Sequence, residues 1–334
     1  MFTPTRFSED ADLRLRNRAA RPGWRRAVGA LWHALHRSTD LVRLEEAAIR
    51  VQRPVSTGRR VAVTSSRGGA GRTTLAALLA QTYGRLRLEP IGAVDLDPGH
   101  GGLRLRLGSY DNEPRSADAP EPSVEGTADA IAEHVRRHGT GGAADFFAPL
   151  TVSPHRVHHT VARTADRQLG TQDVAALLSA FSRFFPVTVT DCAAGRLSVE
   201  TTTAVDHVHA VLHVVPADAL ALDEALALLD PRAGAVRAPL VVAVVHSRAS
   251  SNARVRSGVA ALEQLGHPVH HVPFDRHLDT GVSITPRMLL PRTRAVVAEI
   301  AADLLEASLD PAPTPPSTPP SNGSTRVEPE EPRS

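Results

Sequence analysis

The sequence predicts an α/β protein organised around a doubly wound, mainly parallel sheet. Three observations carry this. Short β-branched runs alternate with helical runs, several strand runs are apolar almost without interruption, and a glycine-rich turn joins the first strand run to the first helical one. The strand runs are Arg60–Ser65, Pro90–Asp95, Val187–Asp191, Val208–Val215, Leu240–Val245 and Val269–Val272. Helical stretches lie between most of them, at Arg72–Gly84, Gln172–Phe184, Ala217–Leu229, Ala253–Leu265 and Thr293–Ala307. Strands and helices alternating at this spacing form βαβ units, which build parallel sheets. The runs LVVAVV and VHAVLHVV read as strands covered on both faces. Residues 109–165 carry weaker signals: a polar, proline-bearing loop, then a helix at Val124–His138.

Composition divides the 334 residues into three zones. Residues 1–57 form an Arg-rich, helical extension, residues 58–309 hold the α/β pattern, and residues 310–334 are rich in Pro, Ser and Glu. That tail buries too little apolar surface to offset chain entropy and is expected to be disordered. No apolar run reaches the ~18 residues of a membrane span, and residues 1–18 lack the apolar stretch of a secretory signal. A single cysteine, Cys192, excludes a disulfide framework. The expected location is cytoplasmic. Net charge is only +2, and all 38 basic residues are arginine, because the chain has no lysine. A coding bias therefore offers a non-functional reason for arginine wherever lysine is usual.

The segment Ser66 to Thr74 has the context of a phosphate loop, following a strand and opening a helix. Gly68, Gly69 and Gly71 let the backbone turn its N–H groups inward around Ala70. The helix start adds positive potential for an anion. Thr73 stands where a hydroxyl would meet Mg²⁺, and Thr74 follows it.

These residues resemble the deviant phosphate loop of the MinD/ParA ATPases, KGGxGKT[ST]. Residues 67–74 match it at six of eight positions, and both departures replace lysine with arginine. The resemblance implies ATP and Mg²⁺ as cofactors. It implies that Arg72 contacts the β- and γ-phosphates and that Arg67 reaches into the partner subunit of an ATP-bound homodimer. Arginine keeps the charge, but its planar fork reaches phosphate differently from an ammonium. The segment Asp95-Leu96-Asp97-Pro98 resembles the family's DxDP, implying that Asp97 lies near the attacking water and the Mg²⁺ shell with Asp95 supporting it. Asp191, ending an apolar strand, matches the Walker B carboxylate that holds a Mg²⁺ water. Gly195 suits a switch loop. His246 stands where the family commonly carries the asparagine that contacts adenine. Pro273 and Asp275 resemble its V-P-x-D segment beside the base. Residues 273–294 further resemble MinD-like proteins of actinobacterial type VII secretion loci.

Other chemistry is weaker. His155, His158, His159, His267, His270 and His271 lack Cys, Asp or Glu to complete a ligand pattern and read as solvated surface. No G-x-S-x-G elbow or nucleic-acid signature occurs. Trp24, Val28, Leu31, Trp32 and Leu35 share one helical stripe, which would pack on the domain or dock on a partner helix or an anionic membrane. Leu41–Val51 could pair with it as an αα-hairpin.

The expected function is an ATP-dependent dimerisation switch in positioning, partitioning, division or secretion control, with hydrolysis through Asp97 and Mg²⁺. The alternative is a non-hydrolysing regulator or scaffold that uses the N-terminal helix and the tail to bind protein partners. DNA binding is a third reading, and it needs a basic surface that the sequence does not locate.

Overall fold

The computed structural model describes residues 39–97, 102–109, 126–161, 168–195, 198–230, 237–247 and 253–309. The expected helix around Trp24 to Leu35 and the tail 310–334 lie outside them. The described chain opens with helix α1 (residues 39–51), then β1 (Arg59–Thr64), α2 (Arg72–Leu86), β2 (Ile91–Asp95) and the short α3 (Gly102–Arg106). Next come α4 (Ala128–His138), α5 (Ala143–Phe147), β3 (Thr151–Val152), β4 (Val157–His159), α6 (Thr171–Phe184) and β5 (Val187–Asp191). The remainder is α7 (Val199–His207), β6 (Ala210–Pro216), α8 (Ala219–Leu229), β7 (Leu240–Val245), α9 (Ala253–Glu263), β8 (Val269–Val272) and α10 (Pro291–Leu309).

The eight strands form one sheet in the order β3-β4-β2-β5-β1-β6-β7-β8. Every pairing is parallel except β3 with β4. All six predicted strands are present. The two missed strands, β3 and β4, form the far edge. They are two and three residues long, too short for a periodic signal.

Period-two alternation separates two cores. Ala210, Leu212 and Val214 of β6 join a cluster with α1, α2 and α10, while Val211 and Val215 join one with α4, α6, α8 and α9. Helices thus cover both faces, as the apolar strands require.

Helix α1 packs on the domain. Ala47 and Val51 are buried in the first cluster. Arg43 makes a two-pronged contact with Glu299 of α10, both arms at 2.6 Å, and Arg50 bridges Asp303 and Glu306. These pairs are part-exposed, so they contribute orientation more than energy. The packing of Ala47 and Val51 supplies the apolar burial.

Candidate functional site

Residues from three adjacent strands meet at one end of the sheet. The register sets Asp191 of β5 beside Asp95 of β2 and beside Val63 of β1. The loop after β1 therefore lies over the carboxylates that end β2 and β5. Ligands in open α/β sheets bind at such strand ends.

The loop is shaped by its glycines. Gly69 and Gly71 have φ of 75° and 92°, a left-handed backbone open to glycine and strained for other residues. Gly71 caps α2 without a side-chain hydrogen bond, so the helix start stays open toward the loop. Gly195, whose N–H donates to the Ser65 carbonyl at 2.9 Å, ties the segment after β5 to the loop's base.

Beyond Gly69, Ala70, Gly71 and Thr74 opens a cavity of about 360 Å³. Its far wall is Val245, His246, Pro273 and Asp275, so the structure brings the expected base-side residues onto the cavity that holds the loop. Asp275 acts as wall rather than as ligand. Its oxygens accept the backbone N–H groups of His277 at 3.0 Å and Leu290 at 2.9 Å. His246 bonds His271 through Nε2 at 3.0 Å. Burial and the neighbouring His271 hold its pKa below the usual histidine range.

Arg72 is buried at 7% exposure, and its guanidinium points away from this cavity's far wall toward the acids. Nη2 meets Asp97 Oδ2 at 2.5 Å, Nε meets Asp191 Oδ1 at 3.2 Å, and Nη1 donates to Ser65 Oγ at 3.2 Å. The Thr73 hydroxyl, beside Asp191, helps to hold that carboxyl down. Burial pushes Asp191 up to about 6 although Arg72 opposes the shift. Burial and the charge of Asp191 push Asp95 well above the usual carboxylate range. Asp95 Oδ1 accepts the backbone N–H of Asp97 at 3.1 Å.

The residues expected to hold Mg²⁺, namely Thr73, Asp97 and Asp191, are therefore neighbours. Their arrangement does not fit the ion, because the Arg72 guanidinium bridges the two carboxylates. Only Asp191 Oδ2 is left as a buried acceptor without a hydrogen bond. An ion entering between Asp97 and Asp191 would meet the guanidinium that already spans them.

Arg67 lies on the surface and pairs in its own chain. Its Nε and Nη2 each reach a Glu224 oxygen at 2.7 Å. Glu224, on α8, was not singled out in the sequence. The signal available was faint: Asp223 and Glu224 are the only charges in the helix ALALDEALALL. Ser65, which anchors Arg72, and Arg106, which lines the cavity, were missed too. Cys192 is free and buried as expected, and burial pushes its thiol up.

The histidine reading needs one correction. His159 is wholly buried rather than solvated, with Nε2 2.7 Å from Ser109 Oγ and Nδ1 2.8 Å from the Thr160 carbonyl. Among the described residues no group of His, Cys, Asp and Glu could hold a metal ion.

Solved structures share this fold. The ParA family ATPase of Chlorobium tepidum superposes with a TM-score of 0.55 at 18% identity, over 73% of this chain and 98% of that one. The cell division ATPase MinD of Pyrococcus furiosus gives 0.54 at 19%, over 75% and 98%. The Pyrococcus horikoshii MinD complexed with Mg-ADP gives 0.53 at 16%, over 75% and 96%. The chain has the MinD/ParA P-loop fold.

The chain is also similar to a curated protein. The ESX-1 secretion-associated protein EspI of Mycobacterium tuberculosis is 29% identical over 291 residues, covering 84% of this chain. The chain spans 42% of that relative's length. No protein-family model matches the chain.

Proposed function

We propose that this MinD/ParA-like protein binds an adenine nucleotide across the loop Gly68–Thr74 and the His246–Pro273 wall, and serves as a nucleotide-dependent switch in secretion control. One observation carries the binding reading. A glycine-shaped loop, an open helix start and a cavity walled by Val245, His246 and Pro273 are continuous with one another. Backbone N–H groups converging at a helix N-terminus favour phosphate. The relative's association with ESX-1 secretion supports the setting.

Switching by dimerisation is part of the reading. Arg67 must leave Glu224 before it can reach a second subunit, so the ion pair would set a threshold for assembly. Partitioning and division remain other outputs of the same switch, and DNA would require a separate basic surface. No helix among the described residues is long and apolar enough to cross a membrane. Peripheral membrane contact or a protein partner would fall to segments outside those residues.

A second reading is a non-hydrolysing regulator. It is favoured by the contact of Arg72 with Asp97 and Asp191, which occupies the acids that hydrolysis would use.

Calorimetric titration with ATP, ADP and GTP, together with phosphate release for wild type and Asp97→Ala, tests both readings. ATP and ADP binding that Gly71→Val abolishes is the expected result. Turnover lost in Asp97→Ala supports the ATPase, and binding without turnover supports the regulator. A wild type that binds none of the three nucleotides overturns the proposal.

A further inference from the structure

The acids of the loop site already have a cation. Three different nitrogens of Arg72 reach Asp97, Asp191 and Ser65, at 2.5, 3.2 and 3.2 Å. Asp97 follows β2 and Asp191 ends β5, so one guanidinium ties two strand ends to the base of the loop. Asp191 is fully buried and Arg72 nearly so, and a buried carboxylate without a counter-charge is costly.

Arginine suits this place for a geometric reason. Its planar fork carries five donors and spans acceptors on different elements, whereas a lysine ammonium is a compact point charge. Two carboxylates beside a phosphate chain would repel it unless neutralised. A divalent ion meets that need in many phosphate sites, and here the guanidinium stands between the same two acids. A metal entering there would meet a like charge.

We propose that Arg72 is the resident cation of this site, so that the protein holds a nucleoside di- or triphosphate without a divalent metal, and metal and guanidinium compete for Asp97 and Asp191. This rests on the nucleotide-binding reading above for its first half. The second half concerns the protein alone.

Two measurements test it. The first is binding of a fluorescent ADP to wild type and Arg72→Lys, in excess Mg²⁺ and in excess EDTA. The expected wild-type affinities agree within about twofold, whereas Arg72→Lys weakens about tenfold or more in EDTA. The second is Mn²⁺ binding to nucleotide-free protein by electron paramagnetic resonance. Wild type is expected to take up no Mn²⁺ at this site, and Arg72→Ala to gain a site that also raises its melting temperature. Arg72→Gln, which keeps more bulk, serves if the alanine variant does not fold. Wild-type ADP affinity that falls about tenfold on metal removal overturns metal-free binding. Equal Mn²⁺ binding by wild type and Arg72→Ala overturns the resident cation. A wild type that binds no ADP in either medium defeats the nucleotide reading, while the Mn²⁺ arm still decides the place of Arg72.

Discussion

Gly84→Ala should destabilise this protein, although helix propensity alone predicts the reverse. Gly84 lies near the end of α2. In an exposed helix the exchange would stabilise by about 1 kcal/mol. Here an added Cβ would stand 2.2 Å from the His155 carbonyl oxygen and 3.3 Å from Val157 Cγ2. The first contact is backbone, in the turn between β3 and β4, and cannot rotate away. The Arg156 guanidinium holds that turn against α2 by donating to the carbonyls of Leu88 at 2.7 Å, Gly84 at 3.1 Å and Arg87 at 2.8 Å. Restoring ordinary contact needs a shift of roughly 1 Å, and overpacking of this kind costs about 1–3 kcal/mol. Weakening the Arg156 hydrogen bonds adds about 1 kcal/mol. After the propensity gain, the net loss is about 2 kcal/mol, or roughly 4–8 °C in Tm. Urea unfolding should show a lower midpoint with an unchanged slope. A midpoint equal to or above that of wild type would refute the reasoning, because it would mean that the turn yields freely.

Further outcomes follow from α1, His159 and Glu224. Val51→Ala should cost about 2 kcal/mol by chemical denaturation, since Val51 is fully buried. Ile49→Ala, at 68% exposure, should stay within about 0.5 kcal/mol; equal effects would mean that α1 is not docked. Burial lowers His159 to about 4 from 6.5, so the folded state binds fewer protons than the unfolded chain between those values. Its contribution is complete above about pH 6.5 and is lost as pH falls toward 4, by up to about 3 kcal/mol. Asp191, raised to about 6, works in the opposite sense over part of that window. The check is therefore the difference in stability between wild type and His159→Gln across pH 4–7, and a flat difference would count against a neutral buried imidazole. Glu224→Ala frees Arg67 and should bring nucleotide-dependent self-association to a several-fold lower protein concentration in sedimentation experiments. Weaker association would show that the pair is not a competitor.

Much of the fold was legible because its signals are local. The run LVVAVV needs cover on both faces wherever it lies, and it is an interior strand paired on both sides. The glycine pattern of residues 67–71 needs a tight turn, and Gly69 and Gly71 have the positive φ it requires. Residues 109–165 were harder because their strands are two and three residues long and stand only by pairing with β2 and each other. His159 was misread for a related reason. Nothing in PHRVHH marks which histidine faces the core, and only pairing of β4 with β2 turns that one inward. For α1, the helical pattern was readable, but its partners Glu299, Asp303 and Glu306 lie some 250 residues away.

For the candidate site, sequence supplied the parts: the loop glycines, Thr73, Asp97, Asp191 and the two arginines in place of lysine. Residue type and spacing suffice there, since backbone conformation and strand ends are local properties. Tertiary structure decided what the arginines do. A guanidinium chooses among acceptors by distance and burial, which depend on how strands far apart in sequence are ordered. With β2, β5 and β1 side by side, Arg72 falls between Asp97 and Asp191, and with α8 beside the loop, Arg67 falls on Glu224.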